Sequence, residues 1–168
     1  MKLIAHFEDV FWENEPIDHI RFTSRVFLKN DLGQYAFLHI CGEDFLGERN
    51  HLETCGGGVE EDETFLDAAI REVKEELGVR AKNFKELGAI VERLNPIHRM
   101  TCSVFFSAEV DEISEDTNRT EEEKILIDSV LWLYPDEVIR RLSQANSYVD
   151  AYVHRRDLRA FIYLLENS

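Results

Sequence analysis

The chain is short of positive charge. Lys and Arg number 19 against 34 Asp and Glu, which leaves a formal net charge of −15. A surface this acidic repels duplex nucleic acid and anionic membranes, both of which are bound through basic patches. Small phosphate compounds carrying a divalent cation are not excluded, because the cation inverts the local sign. Cysteine is scarce as well: Cys41, Cys55 and Cys102 are an odd set with no metal-ligand spacing. That argues against a disulfide framework and for a reducing compartment. The chain lacks any run of about 18 apolar residues, which excludes a transmembrane helix. The opening MKLIAHFEDVFWENE has neither the apolar centre nor the small-residue cleavage site of a signal peptide, so a cytoplasmic location is expected. Internal repeats, low-complexity tracts and linkers are missing too. A length of 168 residues with a hydrophobic fraction of 44% suits one domain spanning 1–168.

What the chain does have is concentrated between Gly56 and Val79, in the string GGGVEEDETFLDAAIREVKEELGV. At about 100° per residue, Leu66, Ile70, Val73 and Leu77 form one stripe, as expected of a helix face packed on a core. Thr64 is placed to cap the helix N-terminus with Asp67 as its capping-box partner, and Gly78 to end it in a left-handed conformation. Glu72, Glu75 and Glu76, at i, i+3 and i+4, gather away from that stripe. Local energetics oppose this arrangement. Each glutamate in the last turn meets the negative end of the helix dipole at a cost of about 0.3–1 kcal/mol, and each like-charge pair adds about 0.2–0.5 kcal/mol. An i, i+4 pair between Arg71 and Glu75 offsets part of this.

Charged helix faces are common and usually do no more than meet water. The glycine triplet Gly56-Gly57-Gly58 and Glu63, at fixed offsets from the helix, change the balance. Glycines ahead of a helix permit positive φ and close backbone approach, and they can aim a carbonyl at an ion. Hard cations such as Mg²⁺ and Mn²⁺ take oxygen ligands, commonly a few carboxylates together with water and phosphate. Three carboxylates on one helix face offer such a site, and a bound cation would relieve their repulsion.

The sequence from Gly57 through Glu63, Arg71-Glu72-Val73, Glu75-Glu76 and Gly78 to Val79 resembles the Nudix box at every defined position. The resemblance implies an α/β fold: an α/β/α sandwich with a mixed sheet, in which the box is a loop-helix-loop unit. It implies a metal-dependent hydrolase that cleaves the diphosphate of a nucleoside diphosphate linked to another moiety, with Mg²⁺ or Mn²⁺ as cofactor. Gly56 (through its carbonyl), Glu72, Glu75 and Glu76 would then be metal ligands, Arg71 would orient the glutamates, and Glu63 would join that ion-pair network. Glu72 also has a claim to be the base that deprotonates the attacking water. In many members a glutamate on a later loop takes that step, and here the run from Glu115 to Glu123 offers Glu121, Glu122 and Glu123. Thr54-Cys55 stands where a proline often precedes the glycines. Cys55, surrounded by glutamates, is expected to be protonated and inert.

The box leaves the substrate open among ADP-ribose-like compounds, nucleoside triphosphates and others, although Pro96 falls near a position where ADP-ribose-cleaving members carry a proline. Many members are dimers, so a homodimer is compatible with the resemblance. Two further classes share the fold. One is a catalytically silent nucleotide-binding or regulatory domain, which usually shows a degraded box. The other is an isomerase of the isopentenyl diphosphate type, which needs a catalytic cysteine.

Outside the box, strand-like runs occur at residues 2–7, 20–28, 35–40, 51–54, 84–93, 100–110 and 129–134, with 29–33 as a hairpin turn. One helix is expected from Pro135. Another, over 148–165, would present Val149, Tyr152, Val153, Leu158, Phe161, Ile162 and Leu165 on one broad face. Arg93, His98 and Arg99 flank the Asn95-Pro96 turn and are candidates to grip a phosphate, arginine being a bidentate donor. Residues 42–49 read as an exposed loop between glycines, with Phe45 available to stack on a base. Trp132 reads as core, and His154-Arg155-Arg156-Asp157 as solvated helix surface.

Overall fold

The computed structural model describes residues 1–114 and 116–168, so Glu115, at the head of the acidic run, lies outside the described residues. In chain order the strands are β1 (Leu3–Phe7), β2 (His19–Lys29), β3 (Tyr35–Asp44), β4 (Gly47–Glu53), β5 (Cys55–Gly58), β6 (Val79–Leu94), β7 (Arg99–Ile113) and β8 (Ile127–Leu133). The helices are α1 (Phe65–Leu77), α2 (Glu121–Leu126), α3 (Pro135–Leu142) and α4 (Tyr148–Glu166). The strands form a mixed sheet in the order β1-β6-β7-β2-β3-β4, with β5 paired to β2 and β8 to β3. β1 runs parallel to β6 and β2 parallel to β7.

The hairpin between β2 and β3 decides where the site forms. Asn30 Oδ1 accepts from the N–H groups of Leu32 and Gln34 at 3.0 and 2.9 Å, and Gly33 takes φ 80°. This closes the turn and pairs Lys29 with Tyr35. Beyond that pair the strands take different partners, β2 pairing with β5 and β3 with β8. A cleft lined from β2, β3, β4 and β5 opens between them.

Period-two alternation along β2 feeds both faces of the sheet. Val26 and Leu28 pack toward α1 with Ala69, Val73, Leu77, Val104 and Phe106. Phe27 faces α3 and α4. Its ring stacks on Phe105 at 5.6 Å between centroids and meets the edge of Phe161 at 5.3 Å. No helix among the described residues is long and apolar enough to cross a membrane.

Four expectations are corrected. Leu66 and Ile70 are not on the core face of α1: they are 41% and 47% exposed, and the buried residues are Ala68, Ala69, Glu72, Val73, Glu76 and Leu77. The helix is rolled so that its alanines sit against the sheet and two carboxylates turn inward. Residues 42–49 form a hairpin instead of a loop. β3 continues to Asp44, β4 starts at Gly47, and Gly42 pairs with Arg49. Charged side chains hid that strand signal, and they pair with each other in the Arg49–Asp44 salt bridge. β6 begins at Val79, directly after the Gly78 cap, well ahead of residue 84.

The fourth correction concerns α4, where His154, Arg156 and Asp157 are buried, as is Asp150. β4 is an edge strand, and its outward N–H groups need partners. Asn50 N donates to Asp150 Oδ1 at 3.1 Å, Leu52 N to His154 Nε2 at 3.0 Å, and Thr54 N to Asp157 Oδ2 at 2.8 Å. Every second residue of the strand thus meets a polar group from one face of the helix. Helix side chains close the sheet where another strand would otherwise add.

Candidate active site

Close packing between β5 and α1 brings the carboxylates inward, and glycine makes it possible. Gly56 adopts φ +145°, and a Cβ there would lie 2.0 Å from the carbonyl oxygen of Ser24 on β2. A Cβ on Gly57 would lie 2.4 Å from Glu72 Oε1. α1 is held at both ends by its own sequence. Thr64 and Asp67 form a reciprocal capping box, and Gly78 closes the C-terminus at φ 64°.

Glu76 is 5% exposed and accepts from the backbone N–H of Gly56 at 2.8 Å. Burial, and then the neighbouring Glu72, push its carboxyl up to about 8. Glu72 is equally buried and also raised, burial outweighing the stabilising contact from Arg71. The thiol of Cys55 is fully buried and held well above its ordinary range by burial and then by Glu76, so it is protonated.

Arg71 is committed to its own chain. It donates to both oxygens of Glu63 at 2.8 and 2.9 Å, to Glu72 at 2.7 Å, to Glu75 at 3.1 Å and to the Gly58 carbonyl at 2.9 Å. Its guanidinium pKa is raised, first by Glu63, and the carboxyl of Glu63 is lowered by the same bond. One arginine thus ties the glycine turn and the loop at Glu63 to the helix.

The segment before α2 docks on the last turn of α1. Asn118 N donates to the Glu75 carbonyl at 2.9 Å, and Arg119 donates to the Glu76 carbonyl through Nε at 3.0 Å and Nη2 at 2.7 Å. These are carbonyls that a helix end leaves unsatisfied. The docking brings Glu123 beside Glu72 and Glu76, each of the three offering an oxygen within 4.8 Å of the others. The other two acidic candidates are outside this trio. Glu121 pairs with Lys124 at 2.6 Å and is 88% exposed, while Glu122 lines the cleft. Arg71 places its three ion pairs on Glu63, Glu72 and Glu75, none on Glu76 or Glu123. The group is therefore an oxygen-only set of crowded carboxyls, and it fits a hard divalent cation such as Mg²⁺ or Mn²⁺, which would displace the Glu76 proton.

The opposite wall is basic. Arg21 and Arg25 from β2 and Arg49 from β4 line a hollow of about 240 Å³ that also contains Gly56, Glu76 and Glu123. A second hollow, also about 240 Å³, adjoins it through the same arginines and reaches Arg99, with Trp12 and Phe45 on its rim. Of the cations proposed from sequence, only Arg99 faces this space. Arg93 donates to Asn95 Oδ1 at 2.7 Å and to the Glu15 carbonyl, and His98 donates from Nδ1 to the Pro16 carbonyl at 3.0 Å. Both hold the segment ahead of β2. Sequence reading missed Arg21 and Arg25. The available signal was the alternation His19, Arg21, Thr23, Arg25, a polar face on a strand whose other face is apolar at Val26 and Leu28.

A model of the NUDIX domain matches residues 21–153. The fold is similar to that of a NUDIX hydrolase from Nitrosomonas europaea, at 17% identity and TM-score 0.62, covering 81% of this chain and 86% of that one. A MutT protein from Methanosarcina mazei Go1 aligns at 16% identity and TM-score 0.62, covering 94% and 99%. The ORF135 protein of E. coli aligns at 18% identity and TM-score 0.59, covering 88% and 89%. No curated protein sequence matches the chain. Divalent metals are general to the family's hydrolases.

Proposed function

The chain belongs to the Nudix family and is a pyrophosphohydrolase, and from that premise we propose the reaction NDP-X + H₂O → NMP + phospho-X, on a small nucleotide-type diphosphate such as an ADP-ribose-like compound or a nucleoside triphosphate. The observation that carries this reading is the trio Glu72, Glu76 and Glu123, the first two buried, with Glu76 and Glu123 lining one cleft with Arg21 and Arg25. Carboxylates suit a cation and arginines suit phosphate, so the two walls together match a metal-bound diphosphate.

Glu72, Glu75, Glu76 and the Gly56 carbonyl would hold Mg²⁺ or Mn²⁺. When bound, the cation supplies charge neutralisation on the diphosphate and lowers the pKa of water. Arg71 and Glu63 fix the glutamates without touching the substrate. Glu72 or Glu123 would accept a proton from the attacking water, and Arg25 would meet the oxygens of the scissile diphosphate. The protein acts as one domain over residues 1–168, in the cytoplasm, either alone or as a homodimer. Its acidic surface turns away polynucleotides.

The test is incubation with Mg²⁺ or Mn²⁺ and a panel of nucleoside diphosphate derivatives, with phosphatase coupling to detect released phosphomonoesters. Metal-dependent release that a chelator stops is the expected result. Tight nucleotide binding without release at any metal concentration would favour a regulatory domain. Isoprenoid turnover without phosphate release would favour an isomerase, a reading the buried, protonated Cys55 does not support.

A further inference from the structure

Most of the arginines on the basic wall are matched by carboxylates. Arg25 pairs with Glu53 at 2.7 Å, Arg156 with Glu53 at 3.1 Å and Asp157 at 2.7 Å, and Arg49 with Asp44. Arg21 and Arg99 have no ion pair or hydrogen bond among the described residues, and Arg99 Nε is buried without a partner. In the parallel register of β2 and β7, His19 sits opposite Arg99 and Arg21 opposite Thr101. Arg21 and Arg99 therefore lie diagonally on one face of the sheet. Both are held below the ordinary guanidinium range, first by burial and then by a neighbouring arginine: Arg25 for Arg21, and Arg21 for Arg99. Arg21 keeps contact with solvent and Arg99 is half-buried, and in a chain of net charge −15 this adjacent pair lacks a carboxylate partner that an anion would supply.

The position of this pair limits what that anion can be. Arg21 borders both hollows and lies over Gly58, where a Cβ would be 3.3 Å from its Nη2. Arg99 borders only the second hollow, whose lining lacks Glu76 and Glu123. Trp12, Phe45, Leu46 and Tyr152 line the same hollow as Arg99 and offer apolar and ring surface to an uncharged portion of a ligand. Glu122 is the one lining carboxylate besides Asp44 and Glu53, which already have arginine partners.

We propose that Arg21 and Arg99 form a subsite for a phosphate monoester set apart from the scissile diphosphate. Preferred substrates are then organic diphosphates that carry an additional, distal phosphate. This specificity rests on the hydrolase reading above, but binding at the subsite can be measured without turnover.

Calorimetric titration with Mg²⁺ present would compare adenosine 5′-monophosphate, adenosine 3′,5′-bisphosphate and α,β-methylene-ADP. The bisphosphate is expected to bind at least about tenfold tighter than either of the others, as two charge-assisted contacts allow. Arg99→Gln and Arg21→Gln should each shrink that preference to within about threefold, with circular dichroism confirming an intact fold. In kinetics, NADPH should exceed NADH in kcat/KM through a lower KM, and Arg99→Gln should collapse the ratio. Equal binding of the mono- and bisphosphate, or a preference that survives both substitutions, would overturn the subsite. A gain for α,β-methylene-ADP equal to that of the bisphosphate would also overturn it, by placing the added phosphate in the anhydride site. Intact binding preference with no metal-dependent hydrolysis of any member of the diphosphate panel would support the subsite while removing the hydrolase reading.

Discussion

The two walls of the cleft carry opposite charge and are built in different ways. The acidic wall comes almost entirely from one contiguous stretch, the β5 turn and α1, with Glu123 as the single addition from α2. Its carboxylates outnumber their cations, and burial holds Glu76 protonated up to about 8. The basic wall is gathered from β2, β4, β7 and α4, and most of its arginines already have carboxylate partners. The difference shows where folding energy was given up for function. At one wall carboxyl oxygens crowd together without matching cations, so that Glu76 keeps its proton, and at the other two positive charges are left without carboxylate partners. The overall charge of −15 describes the surface and not this cleft.

The sharpest way to break the comparison is at Glu76. Glu76→Gln should lower turnover by more than about a hundredfold, since even groups that only support metal ligands cost 10–100-fold. The metal-free variant should be at least as stable as the parent, because a buried acid is removed from a crowded wall. A steady-state assay with thermal melts would check both. Arg71→Gln comes next, with an expected loss of about 10–100-fold in kcat/KM and a lower melting temperature. It leaves Glu63, Glu72 and Glu75 without their shared cation. Glu123→Gln should weaken Mn²⁺ binding by about tenfold, whereas Glu121→Gln should stay within about twofold, as expected of an exposed ion pair. Equal effects would mean that the docking of segment 118–120 does not place Glu123 in the site.

A smaller effect concerns pH. An unfolded glutamate releases its proton near 4.5, while Glu76 in the folded chain holds it to about 8. Between those values the folded state binds more protons, so stability falls as pH rises. His51 contributes with the same sign. Burial lowers its pKa, but bonds to Asp150 and Glu53 outweigh that and raise it, so its contribution is present below the ordinary histidine value and lost as pH rises through the folded one. Melting of the metal-free protein should therefore drop by roughly 5–10 °C between about pH 5 and pH 8. Added Mg²⁺ should restore much of the loss at the upper end, and Glu76→Gln should flatten the slope.

Sequence legibility divides along the same line as the walls. The capping box at Thr64 and Asp67, the left-handed Gly78 and the clustering of Glu72, Glu75 and Glu76 were readable because each depends on neighbours within one turn of helix. The roll of α1 was not, since Leu66 and Ile70 keep the correct helical spacing and yet face outward. Only the approach of β5 shows that the helix is seated on its alanines. Arg21 and Arg99 are far apart in sequence and meet because β2 runs parallel to β7. Burial of Asp150, His154 and Asp157 depends on β4 being an edge strand, a property of the whole sheet that no local pattern encodes.

The most direct test is a calorimetric Mn²⁺ titration near pH 7 in buffers of different ionisation enthalpy, on the parent chain and on Glu76→Gln. Because Glu76 holds its proton up to about 8 in the metal-free fold, Mn²⁺ should bind the parent with release of most of one proton. The variant should bind weakly and release none. Absence of Mn²⁺ binding to the parent, or equal binding by both proteins, would contradict the assignment of the acidic wall as the metal site.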